Sequence, residues 1–502
     1  MNICFTHAYY MYEDEKEKNI NKPYPPLGLL YLSAWLEQHG YDNEVYDTTF
    51  SSFREQQAYL LEQQPDIIAI YTNLMTKLGV IALLKFIRSQ KTLANSLVVL
   101  GGPDLRYNID NYLATGADVL VIGEGEQSML TLVEAVEQGL RPHFGHIPGL
   151  AFVDEDRKVT ETPARQHLRA VDELPMPNRK KIDLKRYLDL WKKHHDRSSI
   201  TVSTQRGCPY TCRWCSTAVY GQSYRRRSAA QVATELKLLK EEYQPDQVWF
   251  VDDVFTVSHK WLESFRDEVL LQDAVIPYEC ITRAERLNEE VLTMLKESGC
   301  FRIWIGAESG SQRIIDAMDR RVSAEQVQQM TIATKQAGME TGTFIMLGYP
   351  GETEEDILLT LDHLKRANPD HFTITVAYPI KGTGLYEDIK DQITKQPDWF
   401  SSTDREIDFV RTYPRSYYDY AVRWVVNSVQ LHKLRLANQQ NSLSGLKLQL
   451  KVAVIRLGML YYRTNIKGGY SKSGDSRRDA EPAKVRFNEG SSSFRAKGSY
   501  PP

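Results

Sequence analysis

No run of uncharged apolar residues in this chain reaches the roughly 18 needed to cross a bilayer as a helix, so nothing reads as a membrane span. The N-terminus, MNICFTHAYYMYEDEKEK, lacks the basic start and sustained apolar stretch of a secretion signal, and the expected location is cytoplasmic. Charge of one sign is lacking as well. A net charge of −3 over 502 residues gives no general argument for nucleic acid as a partner. Cysteine is scarce: there are six, three of them within eight residues, which is not the pattern of a disulfide framework. No G-x-G-x-x-G follows the first candidate strand, so a nicotinamide or flavin site is not expected. What remains, with 42% hydrophobic and 25% charged residues, is an ordinary globular composition long enough for two or three compact units.

Five short apolar runs occupy the first 130 residues: NICFT (2–6), NEVYDTT (43–49), DIIAIYT (66–72), SLVVLGG (96–102) and DVLVIGEG (118–125). Helical-period segments separate most of them, including GLLYLSAWLEQHG (28–40) and KLGVIALLKFIRSQ (77–90). This alternation predicts a doubly wound parallel sheet. Ligands of such sheets bind at the carboxyl ends of the strands. Thr72-Asn73, Gly101-Gly102-Pro103 and Gly123-Glu124-Gly125-Glu126 stand there. These glycines either let a large flat ligand lie against backbone or simply turn the chain. Residues 146–195 read as a connector with a small hairpin near Asp154-Glu155-Asp156, and His194-His195 as a solvated pair.

A second alternating block runs from about 198 to 390. Its strand candidates are SITVSTQRG, DQVWFVDD, YECITR, FRIWIGAES, ETGTFIML and HFTITVAYP, with helices expected at 229–243, 289–298, 323–338 and 354–367. Six such units fit a partial parallel α/β barrel, whose chemistry belongs to residues just past the strand ends. Cys208, Cys212 and Cys215 fall there, spaced C-x₃-C-x₂-C after the first strand of the block. Thiolates are the usual ligands of iron–sulfur clusters, and three of them leave one iron of a cubane open. A zinc knuckle would need a fourth ligand, and no histidine or cysteine follows within forty residues. Cys4, Cys280 and Cys300 sit among apolar neighbours and read as buried structural thiols.

The cysteine loop, with Trp214 before its last cysteine, resembles the radical S-adenosylmethionine superfamily over about residues 196–390. FVDDVF (250–255), ITRAERL (281–287), IGAESGS (305–311), GTFIMLGYPGETEED (342–356) and YPIKGTGLYE (378–387) follow in register. The resemblance implies a [4Fe–4S] cluster on the three cysteines. Its open iron would take the amino and carboxylate groups of S-adenosylmethionine, which one electron splits to a 5′-deoxyadenosyl radical. It further implies that Trp214, Arg283, Glu308, Ile345 and Gly348 contact S-adenosylmethionine. Arg283 would grip the carboxylate, Glu308 the amino group or ribose, and Ile345 and Gly348 the adenine. Asp252 and Asp253 either orient substrate or cap the next helix.

The doubly wound domain in front, entered by PYPPLGLLYLSAWLEQHGY (23–41), resembles the cobalamin-binding branch of that superfamily, which includes the anaerobic magnesium-protoporphyrin monomethyl ester cyclase and radical methyltransferases. Thr72, Asn73, Gly101, Gly102, Gly123, Glu124 and Gly125 would then frame cobalamin. No D-x-H-x-x-G is present, and His7 lacks the context of a lower cobalt ligand.

The expected layout is therefore a Rossmann-like cobalamin-binding domain (1–145), a hairpin and linker (146–195), a partial (β/α)6 radical S-adenosylmethionine barrel (196–390), a C-terminal helical region (391–465) and a disordered tail (466–502). Helices are expected at 415–440 and 445–463. The second carries Lys447, Lys451 and Arg456, and either covers the barrel or touches a membrane peripherally. The activity expected first is methyl transfer to an unactivated carbon of a small molecule, lipid- or porphyrin-like, with a flavodoxin or ferredoxin as electron donor. Oxidative cyclisation without net methyl transfer is the alternative, and a non-enzymatic cobalamin or redox sensor the remote one.

Overall fold

The computed structural model describes residues 1–140, 143–216 and 222–464, so the expected tail lies outside the described residues. The described residues divide into two compact units, Met1–Ile303 with Tyr378–Phe409, and Trp304–Ala377 with 410–464.

The first unit begins with β1 (Ile3–His7), α1 (Glu15–Ile20), α2 (Leu27–Gln38), β2 (Glu44–Tyr46), α3 (Phe53–Gln63), β3 (Ile67–Tyr71), α4 (Lys77–Ser89), β4 (Leu97–Gly101), α5 (Ile109–Thr115), β5 (Val119–Val121) and α6 (Glu126–Glu137). The five strands are parallel in the order β2-β1-β3-β4-β5, a doubly wound sheet. Helices cover both faces, so Ile67, Ile68 and Ile70 are all buried and the strand reads as a continuous apolar run. One face packs Phe5, Leu30, Val99 and Met129, the other Cys4, Ile68, Leu84 and Leu100. Ser52 and Glu55 open α3 with a reciprocal capping box.

The connector does more than link. β6 (Leu150–Val153) and β7 (Val159–Glu161) form the expected hairpin, but β6 also pairs antiparallel with β5 and extends the sheet to seven strands. Leu150 and Phe152 join the core of Phe144 and Ile147, so an apolar strand is covered and the edge of β5 is closed.

Past α7 (Leu184–His195) come β8 (Ser199–Val202), β9 (Gln205–Arg206), β10 (Arg225–Arg226), α8 (Ala229–Glu242), β11 (Gln247–Phe250), α9 (His259–Leu271), β12 (Tyr278–Thr282), α10 (Glu289–Glu297) and β13 (Cys300–Glu308). Within this unit β11 lies parallel between β8 and β12. The short antiparallel pair β9–β10 brackets the cysteine loop. α9 has no counterpart in the sequence expectations. It is held by Phe265, which meets Phe250, Phe255 and Tyr278 edge-on in an aromatic core.

The second unit takes the end of β13, then α11 (Gln312–Ala317), α12 (Ala324–Gln336), β14 (Glu340–Leu347), α13 (Glu354–Ala367) and β15 (His371–Val376), with β14 and β15 parallel. The chain returns to the first unit for α14 (Gly384–Ile389), β16 (Ile393–Lys395) and β17 (Asp408–Phe409), and ends in the second with α15 (Arg415–Leu436) and α16 (Leu443–Thr464). α15 and α16 approach closely at Gly458, where an added Cβ would strike the Tyr420 ring. Among the described residues, no helix is long and apolar enough to cross a membrane.

Candidate active site at the cysteine loop

The loop of Cys208, Cys212 and Cys215 leaves β9 and returns through β10, and buried ions hold both limbs. Asp252, at the end of β11, accepts from the backbone N–H of Thr204 at 2.8 Å and of Gln205 at 3.2 Å, and from the Thr204 hydroxyl. Ser258 caps α9, so Asp252 fastens the entry to the loop and is no helix cap. On the return limb three consecutive arginines point to three elements. Arg225 pairs with Glu124 and donates to the Leu168 carbonyl at 2.7 Å. Arg226 donates to the Phe255 carbonyl at 2.6 Å, with its guanidinium 3.4 Å from the centre of the Trp261 ring. Arg227 pairs with Glu235 of α8 at 2.5 Å. On the entry limb Arg206 pairs with Glu126 and stands 3.7 Å from Glu124.

Burial alone would raise the Glu124 carboxyl, but Arg225 and Arg206 outweigh it and hold it below the usual carboxylate range. Glu235 is likewise held low, Arg227 and Arg179 overcoming its burial. The loop therefore sits in a frame of ionised pairs.

The cysteines run from buried Cys208 through half-buried Cys212 to exposed Cys215, none in a disulfide, with Trp214 half-buried before the last. Burial pushes the Cys208 thiol up to about 11, a bias that a bound cationic iron would reverse. Arg283 is buried, pairs with Glu285, lies 3.9 Å over the Tyr210 ring and brings Nη1 to 3.3 Å from the Cys212 sulfur. Among the described residues, no three His, Cys, Asp or Glu side chains gather as the ligands of one metal ion. In a cubane each thiolate binds a different iron, so the ligands need not converge on one point. Asp253 is exposed beside the buried Asp252.

The front strand ends divide into open backbone and occupied side chains. A Cβ added at Gly101 or Gly123 would meet nothing within 4 Å, which fits a broad flat ligand lying against the chain. Gly102, at φ +126, faces the Thr72 carbonyl so closely that no side chain fits, and the Thr72 N–H donates back to the Gly101 carbonyl at 2.7 Å. Gly125 precedes α6 against Leu32. The Asn73 oxygen accepts from the Met75 and Thr76 N–H groups in an Asx turn leading into α4. Glu124 is taken by Arg225 and the Leu168 N–H. These two side chains shape the loops from within. His7 is engaged at both ring nitrogens, with Asp47 at 2.9 Å and Thr48 at 3.0 Å, so no lower cobalt ligand comes from it. The segment after β15 covers the loops past β3 and β4: Lys77 donates to the Ser402 carbonyl at 2.9 Å and lies 4.3 Å over Trp399, which meets Tyr112 edge-on.

In the second unit, Glu308 ends β13 buried and in the left-handed region at φ 62, an uncommon conformation for glutamate that singles out the position. Ile345 is buried in β14. Gly348 turns the chain at φ +77, its N–H donating to Glu352 at 2.5 Å and its carbonyl accepting from Arg411 at 2.9 Å. A Cβ added there would meet Arg411 and Val376 at 3.3 Å and Tyr418 at 3.4 Å, so that side of Gly348 is packed. Glu352 is fully buried, and burial lifts its carboxyl to about 8.

Residues 202–364 match the radical SAM superfamily and residues 18–133 the B12 binding domain. An uncharacterized methyltransferase of Pyrococcus horikoshii is 30% identical, over 72% of this chain and 78% of its own length. This chain belongs to the cobalamin-binding radical S-adenosylmethionine enzymes. The anaerobic magnesium-protoporphyrin IX monomethyl ester cyclase of Rubrivivax gelatinosus is 25% identical, over 78% of this chain and 71% of that protein. The fold is that of the cobalamin-dependent S-adenosylmethionine radical enzyme OxsB with aqua-cobalamin bound, at a TM-score of 0.72 and 16% identity, over 94% of this chain and 82% of that one. A cobalamin-binding doubly wound domain and a partial (β/α)6 barrel make up the radical S-adenosylmethionine enzyme, whose cofactors are the [4Fe–4S] cluster, S-adenosylmethionine and cobalamin. Membership removes the sensor reading. Sequence reasoning missed Arg206, Arg225, Arg226 and Arg227; the run RRR at 225–227, unusual on an otherwise balanced chain, was the available signal.

Proposed function

We propose that this radical S-adenosylmethionine enzyme transfers a methyl group to an unactivated carbon of a small, lipid- or porphyrin-like molecule in the cytoplasm. When bound, the cluster supplies the electron that splits S-adenosylmethionine to a 5′-deoxyadenosyl radical, and cobalamin supplies the transferable methyl group. Cys208, Cys212 and Cys215 hold the cluster. Arg283, fixed by Glu285 and Tyr210, keeps positive charge beside it and orients the methionine carboxylate. Trp214 stands before the last cysteine, Glu308 takes the amino group or ribose, and Ile345 and Gly348 lie against adenine. Gly101 and Gly123 give cobalamin a bare backbone floor, framed by Thr72, Gly102 and Gly125, whose loops Asn73 and Glu124 stiffen. The functional divisions are 1–145 for cobalamin, 146–195 as hairpin and linker, 196–390 for radical chemistry and 391–465 as the helical region, with a reduced flavodoxin or ferredoxin as donor.

The observation that carries this reading is the Arg206 and Arg225 pairing with Glu124 and Glu126. It fastens the cysteine loop to a strand-end loop of the cobalamin domain inside one compact unit, so groups held at the two loops can act on one substrate. The Pyrococcus methyltransferase supports methyl transfer, and the Rubrivivax cyclase supports the second reading, oxidative cyclisation. After anaerobic reconstitution with reductant, methyl transfer yields S-adenosylhomocysteine together with 5′-deoxyadenosine. Deoxyadenosine with substrate consumed and no S-adenosylhomocysteine would replace it with cyclisation.

A further inference from the structure

α16 carries two apolar faces, and packing explains one. Leu448, Ile455 and Met459 are buried within the second unit. Leu443, Leu446, Leu450, Val454 and Leu457 recur every three or four residues on the outside, with exposures from 52% to 80%. At about 100° per residue these five fall within about 80° of one another around the helix, opposite the buried face. The stripe runs for about 20 Å along the axis. Five large apolar side chains aligned in the open mark an interaction surface rather than scattered exposure.

The charges beside the stripe narrow the partner. No Asp or Glu occurs between residues 441 and 464. Arg456 and Arg463 are already held by Glu354 of α13. Lys447 and Lys451 are exposed and flank the stripe on one side. A second copy would bring an identical stripe with lysines and no carboxylate to meet them. A lipid surface with anionic headgroups satisfies both halves, apolar boundary for the leucines and phosphate for the lysines.

We infer that α16 is an interfacial helix that docks this enzyme on an anionic bilayer surface, with Leu443, Leu446, Leu450, Val454 and Leu457 entering the headgroup–acyl boundary and Lys447 and Lys451 meeting lipid phosphates. The inference is independent of the proposed chemistry, and either can fail alone. It is tested with the full chain by co-sedimentation with vesicles of phosphatidylcholine mixed with phosphatidylglycerol, and of phosphatidylcholine alone. The native chain binds the mixed vesicles more tightly, and added salt weakens that binding. Leu446→Ser/Leu450→Ser/Leu457→Ser lowers binding to mixed vesicles by about tenfold or more. Lys447→Glu/Lys451→Glu lowers it by about tenfold and leaves the weak binding to neutral vesicles unchanged. All five positions are exposed, so both variants keep the native circular dichroism and melting temperature. Equal binding to both vesicles, no binding to either, or a serine variant that binds like the native chain overturns the inference. So does a serine variant that changes only the oligomeric state in size-exclusion chromatography, which would give the stripe to a second copy.

Discussion

The hairpin around the cysteine loop and the turn after β14 each close the end of a strand, one with ions and the other with a neutral acid. In the hairpin and the helix behind it, Glu124 and Glu235 each receive an arginine fork directly, Arg225 on Glu124 and Arg227 with Arg179 on Glu235, and both carboxyls are held low despite burial. In the turn, Glu352 accepts the Gly348 N–H, but Arg411 is turned to the Gly348 carbonyl and Arg313 to Asp356, so burial wins and the carboxyl rises to about 8. Burial is common to all three. What decides the charge state is whether an arginine fork is aimed at the carboxylate or only stands near it. Glu124 and Glu235 thus stay ionised at neutral pH beside the return limb of the cysteine loop, whereas burial raises the carboxyl of Asp252 on the entry limb.

The largest effect that bears on this contrast comes from the loop the ions frame. Cys→Ala at 208, 212 or 215 is expected to abolish deoxyadenosine formation in an anaerobic assay while cobalamin absorbance stays with the protein; retained cleavage would take the chemistry away from the hairpin. Next, Arg225→Ala leaves Glu124 buried without its partner and should cost about 3–5 kcal/mol in denaturant unfolding. Replacing both by apolar residues, Arg225→Met with Glu124→Leu, should recover most of that stability, whereas a double variant no better than the single would mean the pair was not the fastening.

The pH response separates the two regions by sign. Glu352 is raised from 4.5 to about 8, so its contribution is full below about 4.5 and is lost as pH rises toward 8. Glu124 and Glu235 are depressed, so theirs is present above the ordinary carboxylate range and lost as pH falls through their lowered values. Glu352→Gln should therefore flatten the alkaline limb of the stability curve, by on the order of a few kcal/mol near pH 9, and leave the acid limb alone. An unchanged alkaline limb would break the contrast. The smallest expected change in stability is at Gly101→Ala, within about 0.5 kcal/mol because open space awaits the methyl group. The same variant should weaken cobalamin binding in an equilibrium titration, and unaltered affinity would remove Gly101 from the cobalamin floor.

Much of the fold could be read from the chain because parallel strands buried on both faces are unbroken apolar runs, as at Ile67–Tyr71 and Leu97–Gly101. The cysteine loop stood out because three cysteines lie within eight residues. Legibility fails where meaning depends on a distant partner. LAFV at 150–153 reads equally as an isolated hairpin arm or as the strand that closes β5. HKWLESFRDEVLL has a helical period, but its weight comes from the rings of Phe250 and Tyr278. Asn73 and Glu124 stand at strand ends like ligand contacts, yet the partners that occupy them, Thr76 and Arg225, are three and about a hundred residues away. Arg225 itself shows its role only once Glu124 is beside it.

The return of Tyr378–Phe409 to the first unit also sets an order of assembly on the ribosome. At about 5–20 residues per second, the stretch from Trp304 to Phe409 takes roughly 5–20 s to synthesise. During that interval the nascent first unit already has β1–β12 and its cysteine loop, but β16 and β17 are still to come, and Lys77 and Tyr112 wait for Ser402 and Trp399. The loops past β3 and β4 are thus among the last parts of that unit to be closed, and they stand open for the whole of that interval during translation.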